Sequence, residues 1–245
     1  MKILVTGALP HELKPFLKHL KPQGQLPAGV FRVTQTTYLS HEIMLAITGI
    51  GIHNAEDTVK SVLDVLNADF LLSIGFAGAL SEGVRIGDLV AATSVSLVSG
   101  NSMKETVLIS DERGLLNRVG GNVAARAGSF FTLEKLMEKK AVRHFVPGDA
   151  AYPVCEMETF PLAVIALERQ MPFLAVRSIT DLADEEIPPE FVELVDSSGQ
   201  HQSARAVGLL LRKPRLIPLA ARLAARSHKA AEALWLAFDA LAHAL

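Results

Sequence analysis

The stretch from Glu156 to Asp181, EMETFPLAVIALERQMPFLAVRSITD, predicts a helix followed at once by a buried strand. Residues 159–170 have the pattern of a helix, and the short apolar run 172–180 is typical of a strand that is covered on both faces of an α/β sheet. This strand ends in two charged residues, Arg177 and Asp181. Because burying an unpaired charge is costly, these two side chains either pair with each other or face a ligand cleft.

Outward from this stretch, the chain repeats the alternation of strands and helices that builds α/β folds. Two neighbouring extended segments, 30–38 and 42–48, are close enough to form a hairpin, which favours a mixed sheet. We therefore expect an α/β protein, a three-layer α/β/α sandwich around a central mixed β-sheet. The other predicted strands are 3–6, 70–74 and 89–98, and the other predicted helices are 12–20, 54–66 and 133–140.

Length and composition favour a soluble protein that acts on a small molecule. A chain of 245 residues, 49% of them hydrophobic, can bury a large core, and a net charge of −2 gives no basic surface for nucleic acid. The single cysteine, Cys155, excludes an intrachain disulfide framework and fits a reducing compartment, so we expect a cytoplasmic protein. His11, His53 and His144 lack the spacing of metal ligands, and no metal is predicted.

The C-terminal segment differs in charge from the rest of the chain. Residues 197–231 contain seven Arg and Lys residues and no Asp or Glu, and leucines recur there at helical spacing. We expect a catalytic domain at 1–203 and a basic, amphipathic helical extension at 204–245. The extension packs on the core, packs on a second subunit, or makes a peripheral membrane contact.

Two glycine-containing segments follow predicted strands. The turn at 49–54, GIGIHN, opens a helix as a dinucleotide-binding turn would, but its third glycine position holds Asn54 and no acidic residue ends the next strand. It is interpreted as a plain tight turn. Gly75 and Gly78 lie near the carboxyl end of a strand, where glycines let backbone N–H groups approach an anion or a sugar.

Several short segments together are more specific than each is alone. They are MKILVTGA at 1–8 with Glu12, GFAG at 75–78, GDLV at 87–90, EME at 156–158 and RSITD at 177–181, followed by ADEEIP at 183–188 and the basic tail. The segments up to about residue 185 resemble the nucleoside phosphorylase and nucleosidase superfamily, in particular the methylthioadenosine/S-adenosylhomocysteine nucleosidases. The tail is similar to another branch, the hopanoid-associated phosphorylases, which are thought to remove adenine from an adenosyl lipid.

The resemblance implies cleavage of the N-glycosidic bond of a purine nucleoside, and adenine is the expected base. Such a reaction passes through an oxocarbenium-like state and needs an acid at the leaving base and a nucleophile on the opposite sugar face. By resemblance, Asp181 serves the N7 atom of the purine and Glu12 orients and deprotonates the attacking water. Arg177 matches the arginine that touches the nucleophile, which is water or inorganic phosphate.

The resemblance also implies the residues that bind the sugar and the base. Glu158 accepts hydrogen bonds from the ribose 2′ and 3′ hydroxyls, and Met157 packs against the sugar. Gly75 and Gly78 bring the backbone close to the sugar and the nucleophile. Phe131, or else Phe130, stacks on the base, and a core position for either ring is an equal alternative. No cofactor is implied apart from phosphate as an alternative co-substrate, and a homodimer is expected.

Two residues depart from the nucleosidase pattern. Phe76 stands where the nucleosidases carry a serine, and Ser129 stands near a position that often holds an aspartate. An apolar ring at position 76 excludes phosphate or shapes the pocket for an apolar 5′ substituent. The carboxylate of Glu12 favours water over phosphate, whereas Arg177 favours phosphate. Two other interpretations remain: a non-catalytic nucleoside-binding module on this fold, and a membrane-peripheral interaction protein that acts through its basic tail.

Overall fold

The computed structural model describes residues 1–110, 114, 125–186 and 212–245. Its strands are β1 (Lys2–Gly7), β2 (Gly24–Ala28), β3 (Phe31–Tyr38), β4 (His41–Ile47), β5 (Phe70–Ala79), β6 (Leu89–Ser99), β7 (Ser102–Leu108), β8 (Arg126–Leu133), β9 (Val154–Glu156) and β10 (Phe173–Asp181). Its α-helices are α1 (Lys14–His19), α2 (Ile52–Val65), α3 (Lys139–Val142), α4 (Thr159–Glu168) and α5 (Ile217–Ala244), and short 3₁₀ turns cover Arg143–Phe145 and Pro214–Leu216.

All of these strands belong to one mixed sheet with the order β10-β6-β8-β9-β5-β1-β4-β3-β2, and β7 pairs with β6. β1 is parallel to β4 and β5, whereas β3 and β4 form the predicted antiparallel hairpin. β10 also pairs with β5, so that β5, β10, β6, β8 and β9 close into a ring. This closure brings together strands that are far apart in sequence.

Helices cover both faces of the sheet, which confirms the three-layer α/β/α sandwich. Successive residues of β1 alternate between two hydrophobic clusters, as the period of a strand requires. One cluster includes Phe16 of α1 with Trp235 and Phe238 of α5, whereas the other includes Val59 of α2 and Ile165 of α4. The central strands are therefore mostly apolar on both sides, and the buried polar groups Ser73 of β5 and Arg177 of β10 are exceptions.

The helix predicted at 133–140 is wrong over most of its length. β8 continues to Leu133, which pairs with Val98 of β6, and α3 begins only at Lys139. Leu133, the first of these residues, therefore belongs to the sheet and not to a helix. The carboxylate of Glu186 then fixes the start of α3, because it accepts hydrogen bonds from the backbone N–H groups of Lys139 and Lys140.

The C-terminal part of α5 is an integral layer of the sandwich. Leu234, Trp235, Phe238 and Leu241 are buried against the sheet and α1, so this part of the predicted extension packs on the core. The predicted boundary between residues 203 and 204 lies outside the described residues and stays a prediction. Within the described part of the chain, no helix is long and apolar enough to cross a membrane.

Candidate active site

Glu12 is a buried carboxylate at the carboxyl end of β1. Its side chain is held by two backbone amides: Leu9 donates to Oε2 at 2.8 Å and Phe76 donates to Oε1 at 3.0 Å. Only 3% of the residue is exposed. Burial raises the pKa of Glu12 above its usual range, although these amides and the charge of Arg177 act in the opposite direction. The residue is thus positioned and shielded, and its proton affinity suits a base.

Arg177 projects from β10 into the interior and is 1% exposed. Its Nη2 donates to Oε2 of Glu156 at 2.9 Å and to the hydroxyl of Thr159 at 2.7 Å, and its Nη1 donates to the hydroxyl of Ser73 at 3.1 Å. Its Nε has no hydrogen-bond partner among the described residues. This atom lies close to Gly75, where an added Cβ would be 3.4 Å from it.

Glu156 and Glu158 share the positive charge of Arg177 but differ in protonation. Burial by itself would raise the pKa of Glu156, but Arg177 and the hydrogen bonds from Thr132 and Thr159 lower it below the usual range. Burial and the neighbouring charge of Glu156 raise the pKa of Glu158 to about 8. One of the two carboxyl groups is therefore ionised at neutral pH, and the other is close to its titration point.

Glu158 lies between two helix N-termini. It is the N-cap residue of α4, and its Oε1 accepts a hydrogen bond of 2.9 Å from the amide of Gly51, the N-cap residue of α2. Gly51 has φ +93° and Gly49 has φ +81°, backbone conformations that favour glycine. The sequence predicts only a plain tight turn at 49–54. In the structure this turn also orients Glu158, the residue that is predicted to bind the sugar.

Asp181, at the end of β10, forms a buried ion pair with Lys139 of α3. Its Oδ1 also accepts a hydrogen bond of 2.8 Å from the hydroxyl of Thr180. Gly78 lies directly beside this pair: an added Cβ would be 2.6 Å from Asp181 Oδ2 and 2.8 Å from Lys139 Cε. Arg177 and Asp181 are therefore not partners of each other, since each has its own counter-ion.

Two glycines of β5 lie beside the two predicted catalytic carboxylates, Gly75 beside Glu12 and Gly78 beside Asp181. Gly75 pairs with Arg177 in the register of β5 and β10, and an added Cβ there would be 3.1 Å from Glu12 Oε1. Gly78 pairs with Asp181 in the same register. The two glycines are three positions apart in the strand, a distance of roughly 10 Å. Absence of a side chain at both positions lets the charged groups lie against the backbone.

The predicted aromatic and apolar site residues lie in packed surroundings. Phe131 is buried with Leu80 and Leu133, and Met157 contacts this cluster. The partly buried ring of Phe76 packs against the core beneath α5 and lies 5.3 Å from the ring of His11. The base-stacking role of Phe131 and the sugar contact of Met157 stay predictions.

Sequence reasoning missed three contributors to this site. Lys139 lies in the segment 133–140 that the sequence predicts as a continuous helix, and its local pattern does not indicate that it pairs with Asp181. Gly51 was recognised only as a turn residue. Sequence reasoning gives no role to Glu156, the first residue of the EME motif. An acidic residue in this motif that is not needed for the sugar is a signal for a buried partner of Arg177. In the described ranges, no group of three or more His, Cys, Asp or Glu residues could hold a metal ion.

Comparison with known proteins identifies the family of this chain. The model of the phosphorylase superfamily matches residues 2–212. The chain belongs to this superfamily. Among superfamily members, it is similar to the aminodeoxyfutalosine nucleosidase of Campylobacter jejuni, with 28% identity over 224 residues that cover 82% of this chain and 94% of the relative. It is also similar to the 5′-methylthioadenosine/S-adenosylhomocysteine nucleosidase of Bacillus velezensis, with 23% identity over 86% of this chain and 99% of the relative.

Solved structures of superfamily members share the fold. A futalosine hydrolase mutant of Helicobacter pylori superimposes with a TM-score of 0.72 and 20% identity, over 98% of this chain and 99% of that chain. The 5′-methylthioadenosine/S-adenosylhomocysteine nucleosidase of Campylobacter jejuni gives a TM-score of 0.66 and 26% identity, over 83% and 96% of the two chains.

Proposed function

We propose that the protein hydrolyses the N-glycosidic bond of an adenine nucleoside and releases the free base. The observation that carries this proposal is the placement of Glu12 and Asp181 at opposite ends of the Gly75–Gly78 segment of β5. A reaction that passes through an oxocarbenium-like state needs a base for the nucleophile on one side of the sugar and a proton held at the leaving group on the other. The named relatives, which are nucleosidases, support the same chemistry.

Glu12 is suited to activate the attacking water. Its two oxygens are oriented by backbone amides, so the side chain loses no further freedom when substrate binds. A carboxylate whose pKa is raised by burial is a stronger base than an exposed one, and general-base catalysis is most efficient when the pKa lies nearer the working pH. The unpartnered Nε of Arg177 lies on the same side and can donate to the water oxygen.

Glu158 is suited to bind the ribose hydroxyls. Glu158 is a partly exposed residue, and one oxygen of its carboxyl group is fixed by the amide of Gly51. A carboxyl group with a pKa of about 8 can donate or accept a hydrogen bond at neutral pH. In its ionised form it also stabilises the positive charge that develops on the sugar.

The charge balance of the pocket favours water over phosphate. Three carboxyl groups, Glu12, Glu156 and Glu158, surround the single guanidinium of Arg177, and both Nη atoms of that guanidinium are already engaged. A phosphate dianion would meet more negative than positive charge. Phosphorolysis is therefore the alternative that the assay must separate, with inorganic phosphate as co-substrate.

The test is to identify products from a panel of adenine nucleosides, each with and without phosphate. The panel contains adenosine, methylthioadenosine, S-adenosylhomocysteine and an adenosine that bears a long alkyl 5′ group. Free adenine and free sugar in both buffers would support hydrolysis, whereas a phosphate requirement with a sugar 1-phosphate product would replace it by phosphorolysis. Binding without release of base from any member would support a non-catalytic nucleoside-binding module instead.

Glu12→Gln gives the matched variant for the catalytic assignment. We expect kcat to fall by about 10²–10⁴-fold, which is the usual contribution of a general base. Glu82→Gln, at an exposed loop position, is the control and should retain wild-type kcat. Equal activity of the two variants would contradict the assignment of Glu12.

The 5′ substituent is the finer question of substrate class. We propose an apolar 5′ group, such as that of adenosylhopane, because Phe76, whose own backbone N–H donates to Glu12, carries a partly buried apolar ring at this position. Higher kcat/KM on the alkyl nucleoside than on methylthioadenosine would support this, and the reverse order would refute it. The homodimer and the peripheral membrane contact through the C-terminal helices stay predictions.

A further inference from the structure

Lys139 is a buried ammonium at the base end of the site. It is 4% exposed, forms the ion pair with Asp181, and donates to the carbonyl oxygen of Leu182 at 2.5 Å. A lysine is rarely buried to this extent because desolvation of its charge is costly unless partners compensate. Both partners lie at the carboxyl end of β10, so the ammonium is held at the end of the strand that carries Asp181.

Backbone hydrogen bonds and the absence of a side chain at position 78 hold Lys139 beside Asp181. The carboxylate of Glu186 accepts hydrogen bonds from the amides of Lys139 at 3.1 Å and Lys140 at 3.3 Å, which anchors the first turn of α3. Gly78 leaves space for the lysine side chain, because any Cβ there would lie 2.8 Å from Lys139 Cε. The position of the ammonium is therefore fixed from both its backbone and its side chain.

The chemistry of the leaving base requires a proton at this place. N7 of a purine is an acceptor, and an ionised aspartate only accepts, so the two cannot hydrogen-bond without an added proton. The hydroxyl of Thr180 and the ammonium of Lys139 both donate to Asp181. Cys155 is a poor source, since burial and the charge of Asp181 raise the pKa of its thiol to about 12. Among the described neighbours of Asp181, Lys139 is the cation that forms a buried ion pair with it.

We propose that Lys139 is a positioning residue that orients Asp181 toward the leaving purine and supplies, through Asp181, the proton with which the base departs. This inference rests on the proposed hydrolysis. As the C1′–N9 bond breaks, its electron pair moves onto the purine, and the proton of the Lys139 ammonium passes to the Asp181 carboxylate and on to N7. Lys139 becomes a neutral amine and Asp181 is again ionised, while Glu12 takes one proton from the attacking water, whose oxygen bonds to C1′. One proton is lost at Lys139 and one is gained at Glu12, and exchange with solvent resets both.

The test compares two leaving groups on the same sugar. Adenine must be protonated as it leaves, whereas 4-nitrophenolate leaves without a proton. For Lys139→Gln, whose amide can still bridge Asp181 and Leu182 but has no proton to supply, we expect kcat on the adenine nucleoside to fall about 10²–10⁴-fold. On the 4-nitrophenyl riboside with the same 5′ group, we expect less than a tenfold loss. Lys140→Gln, at the exposed neighbouring position, is the matched control and should behave as wild type on both substrates.

Each outcome decides the proposal. Equal losses on both substrates, or wild-type kcat on the adenine nucleoside, would show that Lys139 serves only the structure. Lys139→Arg keeps the positive charge, but its guanidinium does not give up a proton, so it should remain impaired on the adenine nucleoside while it cleaves the 4-nitrophenyl riboside. Wild-type kcat of Lys139→Arg on the adenine nucleoside would refute the supply of a proton by Lys139. Melting curves of all variants establish that the compared proteins are folded, and the arginine variant carries the test if the glutamine variant is not. If the wild-type protein cleaves neither substrate, the proposed hydrolysis itself fails, which is distinct from failure of the role of Lys139.

Discussion

Gly78→Ala tests whether the close approach of Asp181 and Lys139 to the backbone of β5 matters for activity. The added Cβ would lie 2.6 Å from Asp181 Oδ2, whereas ordinary contact begins at 3.4 Å. The carboxylate must therefore move by about 0.8 Å, and a displacement of about 1 Å at a reacting group costs on the order of 10²-fold in rate. We expect kcat for adenine release to fall about 10²-fold.

The expected loss of stability for Gly78→Ala is small compared with the free energy of unfolding of a typical domain, which is about 5–15 kcal/mol. Overpacking of a buried site costs about 1–3 kcal/mol, so the variant should remain folded at 25 °C. The assay is initial-rate release of adenine at saturating substrate, with urea denaturation to measure the free energy of unfolding. Gly24→Ala is the control, because its Cβ would meet nothing within 4 Å. Wild-type kcat in folded Gly78→Ala would refute the proposed geometry of the base end.

Three further predictions concern the charged groups. Glu156→Gln leaves the buried guanidinium of Arg177 without its counter-ion, so urea denaturation should show a loss of about 3–5 kcal/mol; an unchanged midpoint would contradict this. Because the folded-state pKa of Glu158 is raised to about 8, wild-type stability should fall as pH rises from about 5 toward 9, and Glu158→Gln should remove this dependence in melting curves at pH 6 and 9. Arg226 lowers the pKa of Glu185 to about 2, so this pair stabilises above the ordinary pKa and loses its effect as pH falls toward 2; Arg226→Met should cost about 1 kcal/mol at pH 7 and less at pH 3, and equal costs would be inconsistent with the ion pair.

The layered fold follows from patterns that act locally. Local patterns are sufficient to identify several elements. Short apolar runs bounded by polar turns indicate the strands β1, β4, β5 and β10, and apolar residues at helical spacing indicate α2. The ring closure through β6, β8 and β9 does not follow from such patterns, because it depends on pairing between strands that are distant in sequence. The same kind of pairing places Leu133, the first residue of the wrongly predicted helix, in the sheet beside Val98.

For the site, sequence reasoning located the charges but not their pairing. Arg177 and Asp181 stand out because a buried strand has no use for charges at its end. Their counter-ions come from β9 and α3, elements whose placement depends on the whole ring. Lys139 in particular reaches Asp181 only because α3 starts late, at the position that Glu186 fixes.

The base end of the site is also coupled to the C-terminal helix through the short segment after β10. Glu185 accepts a bidentate contact from Arg226 of α5 and a hydrogen bond from the amide of Leu182, whose carbonyl oxygen in turn accepts from Lys139. The adjacent Glu186 holds the amide of Lys139 itself. A basic residue of the tail thus stabilises the segment that positions the lysine. This contact gives one arginine of the charge block an intramolecular role, and it makes the packing of α5 part of what keeps Asp181 and its counter-ion in register.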